Sequence, residues 1–356
     1  MRDGVPRTGV GRTRAYLGRC RVEDVWRCRE RFGGVTLQGM VGLRIARALD
    51  RAGELHGVDL DPAVYRNRPV PAATAQLTLP GLDCAPFDWV AAQAELGLPV
   101  VRTAGARIRV GRVDELRAEL ARSYPVAVSV VLALDAGWLG RRHIDALEEA
   151  LRAADRDVSL LFAAAYNPLD TVVKIESFRR LLRWAAGAHR DIELLRTDLT
   201  ALPAVIEGAT VAAIGFSTST RHLGIPFGPR QREAFNRRRR SPLVFVPRLL
   251  HWQRANVLGA LAAWDGAGVT YCECPVCARA GHDLLRFDTI PAELEHEVRD
   301  HDEHALAMVI DQIMAATDPA AELKFRRTNA VQRGRSIAAA LDVGLDSPPA
   351  WLDGWN

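Results

Sequence analysis

The chain has 356 residues, of which 48% are hydrophobic and 25% charged, the balance of an ordinary soluble globular protein. No run approaches the ~20 uninterrupted apolar residues of a membrane span, so no membrane partner is expected. The formal net charge is +4, and nearly all the positive charge is arginine, because only Lys174 and Lys324 are lysines. The spacing of Cys20, Cys28 and Cys84 gives no disulfide framework, which predicts a reducing, cytoplasmic location.

Residues 1–74 are predicted to form an Arg-rich N-terminal extension that contains one helix. Residues 1–35 are rich in Arg and Gly and show little periodicity. Residues 40–52 (MVGLRIARALDRA) have the apolar spacing of an amphipathic helix that ends near Gly53. Prolines then punctuate a connecting stretch, at Pro62, Pro69, Pro71 and Pro80.

Residues 75–320 are predicted to form one large domain in which apolar strands alternate with helices, followed by a basic C-terminal tail at 321–356. The strands are expected at 99–104, 126–135, 159–165, 192–198, 210–217, 243–250 and 268–271, with one more from 56–80. Continuous apolar strands with crossover helices indicate a parallel sheet covered on both faces. The pattern therefore predicts an α/β fold, a (β/α)8 TIM barrel. An open doubly wound sheet is the alternative, but no Gly-x-Gly-x-x-Gly loop follows the first strand.

Polar residues follow the predicted strands, at the edge where the active sites of such barrels lie. Asp135 is the strongest carboxylate candidate, because it ends an apolar strand where an unpaired charge is costly without a task or a partner. Asp198 holds a similar position, although helix capping explains it equally well. The candidates for binding a base or another substrate at this edge are Thr103, Gly105, Asn167, Gly215, Ser217 and His222.

Three cysteines lie within six residues, at Cys272, Cys274 and Cys277, on a tight turn that Pro275 stiffens. With one imidazole from the next helix they form a Cys₃His set, typical of a closed, structural Zn²⁺ site. Three buried cysteines, or a disulfide with one spare thiol, are the alternative. His304 is the predicted fourth ligand, because it opens the apolar run at 305–310. His301, one helical turn earlier, is the runner-up.

Two basic runs flank this motif, and they favour nucleic acid as a partner. The first contains Arg237, Arg238, Arg239 and Arg240, and the second contains Lys324, Arg326 and Arg327 and continues to Arg335. Solvated surface or a genomic bias toward arginine would produce similar runs. Their position on both sides of one metal motif is the observation that favours polyanion binding.

The cysteine motif resembles the tRNA-guanine transglycosylase superfamily, including its relatives that insert 7-deazaguanine bases into DNA. The signature of that family is Cys-x-Cys-x-x-Cys followed some two dozen residues later by a His that opens a helix. Cys272, Cys274, Cys277 and His304 are similar to it. Weaker similarity at 87–110 and 212–218 (AAIGFST) extends the resemblance over about residues 75–320.

The resemblance implies a zinc-containing enzyme that exchanges guanine for a 7-deazaguanine base in tRNA or DNA, as a homodimer or a heterodimer with a paralogue. The family uses two carboxylates, one as nucleophile and one as general acid/base. The matching positions here carry Thr103 and Thr270, so by elimination Asp135 and Asp265 are the predicted catalytic carboxylates, with Glu273 as an alternative for Asp265. A second function stays open: a non-catalytic, zinc-stapled barrel that binds nucleic acid or serves as accessory subunit to a catalytic paralogue.

Overall fold

The computed structural model of the chain describes residues 12–18, 20–66, 87–164, 167–224, 242–265, 267–288 and 295–341, together with Leu352, Gly354 and Trp355. The chain divides into two compact units. The first comprises Met1–Leu169 and Val173–Ile225, and the second comprises Asp170–Val172 and Pro226–Asn356. None of the helices in the described ranges is long and apolar enough to cross a bilayer.

The first unit alternates strands with helices. Its strands are β1 (Thr13–Leu17), β2 (Val35–Gln38), β3 (Val58–Asp61), β4 (Ala106–Ile108), β5 (Val130–Asp135), β6 (Val158–Ala164), β7 (Ile192–Thr197), β8 (Val211–Gly215) and the short β9 (Leu223–Gly224). Its helices are α1 (Val22–Phe32), α2 (Gly39–Arg51), α3 (Trp89–Glu95), α4 (Val113–Leu120), α5 (Ile144–Ala154), α6 (Val172–Gly187), α7 (Ala201–Ile206) and α8 (Thr218–Arg221).

Local chemistry sets the boundaries of these helices. Helix α2 follows the amphipathic pattern seen in the sequence and buries Leu43, Ala46 and Leu49 on one face. Helix α3 begins at Asp88, whose carboxylate accepts hydrogen bonds from the backbone N–H groups of Val90 and Ala91 at 3.0 and 2.9 Å. This side-chain cap satisfies donors that the first turn of a helix leaves without partners.

The strands form a parallel sheet in the order β3-β2-β1-β8-β7-β6-β5-β4. Except for β3 and β4, successive strands from β1 to β8 are neighbours in the sheet, and β1 also pairs with β8: Ala15 of β1 lies opposite Val35 of β2 on one side and Ile214 of β8 on the other. This cyclic order, with a helix after each strand, is that of a (β/α)8 barrel, so the predicted fold class is confirmed. Among the described residues no pairing joins β3 to β4, and residues 67–86 between them lie outside those ranges.

The barrel occupies an earlier part of the chain than the sequence pattern predicts. Strands β1 and β2 and helix α1 lie in the stretch expected to be an extension, whereas α2 coincides with the predicted helix and β3 falls within 56–80, where one strand was expected. The predicted strands at 126–135, 159–165, 192–198 and 210–217 correspond to β5–β8. The last two predicted strands are not in this sheet: residues 243–250 contribute to an antiparallel hairpin of the second unit, and 268–271 is mostly a helical turn.

A network of buried charges fills the barrel near the beginnings of its strands. Arg14, Asp59, Ser159 and Glu193 each occupy the second position of their strand, and Arg102 precedes β4. The Arg102 guanidinium lies 2.9 Å from Glu193 Oε2 and 3.3 Å from Asp59 Oδ2, and Arg14 lies 2.6 Å from the same Asp59 oxygen. Ser159 Oγ donates to Glu193 at 2.5 Å. Two guanidinium groups thus face two carboxylates, which keeps this interior electrically balanced.

The second unit combines a two-stranded hairpin with helices. Strands β10 (Leu243–Val246) and β11 (His251–Arg254) pair in antiparallel register, and the helices are α9 (Leu258–Asp265), α10 (Ala267–Thr270), α11 (Pro275–Ala278), α12 (Glu295–Met314) and α13 (Pro319–Ala340). Helix α13 starts with Pro319 after Asp318, whose carboxylate caps the N–H of Ala321 at 3.0 Å.

Candidate functional site

The Cys₃His set predicted from the sequence exists in the second unit, with a different histidine. Cys272 follows α10, Cys274 caps α11, Cys277 lies within α11, and His301 lies on α12. The four ligand atoms all lie within 4.8 Å of one another, and all four side chains are buried. The Nδ1 atom of His301 lies 3.3 Å from Cys277 Sγ, 3.4 Å from Cys274 Sγ and 4.0 Å from Cys272 Sγ.

This arrangement fits a tetrahedral metal ion. Metal–sulfur bonds of about 2.3 Å and metal–nitrogen bonds of about 2.0 Å place tetrahedral ligand atoms roughly 3.5–3.8 Å apart, close to the spacing seen here. The Nε2 atom of His301 lies 2.8 Å from the Phe245 carbonyl oxygen, which can only accept. Nε2 therefore carries the proton, and the Nδ1 lone pair faces the three sulfur atoms, as a metal ligand requires.

Without a metal ion the cluster favours bound protons, which metal binding displaces. The neighbouring thiols Cys274 and Cys277 raise the pKa of Cys272 well above its usual value, and burial raises it further. Burial alone would lower the pKa of His301, but contacts with Cys274 and Cys277 raise it to about 10. Crowded thiolates next to an imidazole are stable together when a divalent ion neutralises them. These four residues can hold a metal ion.

His304, the predicted fourth ligand, is wrong on this geometry, and the runner-up His301 takes its place. The prediction assumed that His304 opens a helix, whereas α12 begins at Glu295. One turn separates the two histidines along α12. The His304 side chain is 24% exposed and its Nε2 lies 3.8 Å from Asp300 Oδ1, whereas His301 is fully buried among the sulfur atoms.

Three carboxylates lie at the ends of barrel strands. The first, Asp61, is buried and hydrogen-bonded to other groups of the protein. Its Oδ2 accepts hydrogen bonds from Tyr16, at 2.6 Å, and from Tyr65, and its Oδ1 accepts from the Ala63 N–H at 2.9 Å. Burial and the charge of Asp61 raise the pKa of both tyrosines, so the phenols stay protonated and donate. Sequence reasoning missed Asp61, although its position at the end of β3 was the available signal.

Asp135 ends β5, as predicted, and lies partly open to solvent. Its Oδ1 accepts from the Arg107 guanidinium, with Nη2 at 3.1 Å, and its side chain is 20% exposed. Because side chains alternate along a strand, Asp135 shares a face with Val131 and Ala133, which belong to the apolar barrel interior. Asp135 thus lies at the strand end next to that apolar interior, and Arg107 is its cationic partner.

Asp198 and His222 form a hydrogen-bonded pair after β7 and α8. His222 Nε2 lies 3.3 Å from Asp198 Oδ2, and the other carboxylate oxygen accepts from the Thr200 N–H at 2.8 Å. Burial alone would raise the pKa of Asp198, but the hydrogen bond and charge of His222, together with Thr200, lower it to about 2. The carboxylate is therefore ionised at neutral pH and can orient the imidazole.

The sheet register brings this pair close to Asp135. Ala163 of β6 lies opposite Asp135 of β5, and on its other side it lies opposite Leu223 of β9, the residue after His222. Neighbouring strands are about 4.8 Å apart, so the backbones of Asp135 and Leu223 are separated by roughly 10 Å. The backbones of Asp135 and His222 therefore flank the same strand end, while Leu223, next to His222, turns its side chain into the apolar barrel interior. We call Asp135, Asp198 and His222 the barrel-mouth cluster.

The predicted glycines have steric roles. Gly105 has φ +81°, and a Cβ there would come within 2.8 Å of the Val131 side chain. A Cβ on Gly215 would lie 2.3 Å from the Thr220 backbone, so only glycine lets the α8 turn fold back against β8. That turn leads directly into His222, and Gly215 thus helps to place the imidazole.

The remaining predicted site residues serve local structure or lie elsewhere. Thr103 is buried and its hydroxyl accepts from the Val131 N–H at 2.9 Å. Asn167 accepts from Leu169 N–H at 2.9 Å, and Ser217 caps α8. Asp265 ends α9 in the second unit and so does not lie at the end of a barrel strand. Its segment is helical, which the position before a predicted strand did not reveal.

The two basic runs have different outcomes. Arg237, Arg238, Arg239 and Arg240 lie outside the described residues. On α13, Lys324 is exposed and Arg326 is partly buried, whereas Arg327 is buried and donates to the carbonyl oxygens of Leu352 and Trp355. Arg327 therefore stabilises the protein's own chain and is not available to a phosphate in this arrangement.

The low pKa of Asp198 leads to a prediction about stability and pH. A folded pKa of about 2 lies below the unfolded value of about 3.9, so the ionised group stabilises the fold above pH ~3.9 by roughly 2–3 kcal/mol. This contribution is lost as the pH falls through 2. Asp198→Asn should therefore be destabilised by that amount at pH 7 and by about half of it near pH 3. Urea unfolding at both pH values measures this, and a pH-independent difference would contradict it.

Comparisons with known proteins show little beyond the fold. No family model and no curated protein matches the chain. Among solved structures, deoxyribose phosphate aldolase from Aeropyrum pernix matches with 18% identity and a TM-score of 0.35, covering 62% of this chain and 92% of that one. A similarity this weak carries no argument about function.

Proposed function

We propose that this protein is a divergent member of the tRNA-guanine transglycosylase superfamily, and that its barrel mouth exchanges guanine for a 7-deazaguanine base in tRNA or DNA. The observation that carries the proposal is the barrel-mouth cluster, where the backbones of Asp135 and His222 flank one strand end and Asp198 pairs with His222. The buried Cys₃His set after the barrel supports it, because the sequence spacing of its cysteines resembles that of the family.

Base exchange needs a nucleophile and a group that moves a proton, and the cluster offers both. Asp135 supplies a carboxylate that attacks C1′ of the nucleoside. The C1′–N9 bond then breaks, its electron pair goes to N9, and the protonated His222 gives N9 a proton as guanine leaves. The incoming base reverses these steps: His222 removes its N9 proton, N9 attacks C1′, and the Asp135 carboxylate departs. Asp198 orients the imidazole throughout.

The metal ion proposed for the Cys₃His set is Zn²⁺, held by Cys272, Cys274, Cys277 and His301. Three soft thiolates and one imidazole in a buried tetrahedral arrangement suit zinc. With four protein ligands, the ion ties α11 to α12 and has a structural role. A reducing compartment such as the cytoplasm would keep these thiols available, and the described cysteines form no disulfide.

The test is a base-exchange assay with matched variants. Protein is incubated with labelled guanine or a labelled 7-deazaguanine and with bulk tRNA or DNA, and covalent adducts are trapped by denaturation. We expect Asp135→Asn to form no adduct and His222→Gln to lose about 10²–10⁴-fold in rate. Asp145→Asn, which removes the same charge at an 80% exposed side chain, should keep full activity.

Two results would count against the proposal. Undiminished exchange by Asp135→Asn would show that another group is the nucleophile. If the wild-type protein gives neither exchange nor adduct on any polymer, the accessory-subunit function replaces the enzymatic one, and a homodimer or a heterodimer with a catalytic paralogue becomes the object to isolate.

A further inference from the structure

A pocket of about 260 Å³ lies in the second unit, next to the metal-binding turn. Cys272 and Glu273 line one side of it, and three arginines, Arg248, Arg326 and Arg333, line the remainder together with polar and apolar groups. Nothing in the barrel-mouth cluster uses these residues. The volume is slightly below the ~300 Å³ at which pockets for drug-sized ligands begin, so the pocket suits a smaller group.

Helix geometry aims several polar groups into this pocket. Arg326, Asn329 and Arg333 lie at i, i+3 and i+7 on α13, which places them on one face of the helix. Gln312 of α12 accepts from Arg326 Nη1 at 2.8 Å and so fixes that guanidinium. Two helices therefore present guanidinium and amide donors to the same cavity.

The third arginine is held by a stack of rings. The Arg248 guanidinium lies 5.4 Å from the centre of the Tyr271 ring, and Tyr271 stacks on His282 with ring centres 5.2 Å apart and planes 17° apart. Stacking holds the planar fork of Arg248 in place while leaving its N–H groups able to donate. The side chain is thus ordered before any ligand arrives.

Two of the three arginines in the pocket have no carboxylate partner among the described residues. Arg326 pairs with Glu322 at 2.5 Å, but no carboxylate of the described residues lies within 4.0 Å of Arg248 or Arg333. Glu273 is the acidic residue among those that line the pocket. Two guanidinium groups with unused donors, beside the amides of Gln312 and Asn329, favour an anion with several oxygen acceptors.

We propose that this pocket binds a phosphoryl group, carried either by the phosphodiester backbone of a nucleic acid or by a free nucleotide. Arg248 and Arg333 donate to the phosphate oxygens, and the side chains of Leu250, Met308 and Val309 give the attached sugar an apolar surface. The inference rests on the second unit alone, so it stands or falls independently of base exchange in the barrel.

Binding is measured by calorimetry with three probes: inorganic phosphate, guanosine 5′-monophosphate and a short single-stranded oligonucleotide. The oligonucleotide is used both as RNA and as DNA. We expect Arg333→Gln and Arg248→Gln each to raise the Kd at least tenfold, a loss typical of one charge-assisted contact. The double variant should also reduce the slope of log K against log salt concentration for oligonucleotide binding by about 1.4, since each contact with a single strand contributes about 0.7. Arg44→Gln, which removes the same charge at an exposed position of α2 in the first unit, should leave the Kd within about twofold, as expected for a solvated charge.

The probes also separate the two sources of phosphate. If the mononucleotide does not displace the bound oligonucleotide, the pocket binds the nucleic-acid backbone. If the oligonucleotide does not displace the bound mononucleotide, the pocket binds a free nucleotide. Metal content shows whether each variant is folded. If Arg248→Gln loses its metal ion, Arg248→Lys replaces it in the binding measurement, because this variant keeps the charge but loses the planar fork of donors. The proposal is overturned if no probe binds the wild-type protein, or if Arg44→Gln weakens binding as much as Arg333→Gln does. The base-exchange assay is scored separately, so failure of one proposal is distinguishable from failure of the other.

Discussion

His301→Ala should lose its metal ion and unfold much of the second unit, while His304→Ala keeps both. His301 contributes the Nδ1 atom that lies within 4.0 Å of all three sulfur atoms, and its removal opens a buried set of thiolates. Metal binding and local folding are coupled in such sites, because the ligands are brought together only in the folded chain. Structural zinc contributes on the order of 10 kcal/mol, so losing one ligand is a severe change.

The measurement is metal content by elemental analysis together with thermal unfolding. We expect about one equivalent of zinc in the wild-type protein and in His304→Ala, and well under half of that in His301→Ala, since structural sites bind one ion tightly. Both histidines lie on α12, so the pair isolates the ligand role from any general effect of truncation. Equal metal content in the two variants would overturn the assignment of His301, and a metal other than zinc would correct the identity of the ion.

Arg102→Met should destabilise the barrel by about 3–5 kcal/mol, the cost of leaving buried charges without their partner. Arg102 is fully buried between Glu193 and Asp59, and it also donates to the Leu60 carbonyl at 3.0 Å. Contacts with those carboxylates outweigh burial and raise the pKa of Arg102, so the guanidinium stays charged. Methionine fills much of the space but leaves Glu193 without its guanidinium partner and Asp59 with Arg14 alone.

A shift of this size should lower the melting temperature of a unit of this length by roughly 10 °C, since each kcal/mol is worth about 2–4 °C. Arg117→Met is the matched control, because Arg117 pairs with Glu149 on the surface, where both side chains are more than half exposed. Such a pair contributes about 0–1 kcal/mol. Comparable shifts in both variants would show that the buried network does not hold the barrel together.

The fold class was predictable because strands β5 to β8 are apolar runs separated by amphipathic helices. The position in the chain where the barrel begins was not predictable from the same pattern. Strands β1 to β3 are four or five residues long and carry Arg14, Asp59 and Asp61 on the inward face. Arg14 pairs with Asp59 and Asp61 accepts from Tyr16, each a contact between residues far apart in sequence, so a local hydrophobicity pattern marks these segments as polar and irregular.

Similar reasons explain the outcome at the candidate site. The three cysteines were predictable because they are adjacent in sequence. The histidine was misassigned because the first half of α12 is charged and therefore reads as exposed, which moved the expected helix start to His304. In the structure Asp302 and Glu303, next to His301, are buried. Asp302 accepts from the Phe245 N–H at 2.7 Å and from the Trp252 indole at 2.9 Å, contacts that only the tertiary structure reveals. The Asp198–His222 pair likewise depends on the position of β9 beside β6.

The pairing of β1 with β8 also determines when the barrel can form during synthesis. Thr13 lies opposite Ala212, so the strand made first acquires its second neighbour only after roughly 200 further residues, and closing so long a loop has an entropic cost. Until then the hydrogen-bonding edge of β1 that receives β8 has no partner strand. Arg102 also lacks the carboxylate of Glu193, which is synthesised later. Folding of this unit should thus be slow and dominated by contacts distant in sequence. A chain released before residue 215 would expose an open sheet edge, the kind of surface on which newly made proteins associate with one another.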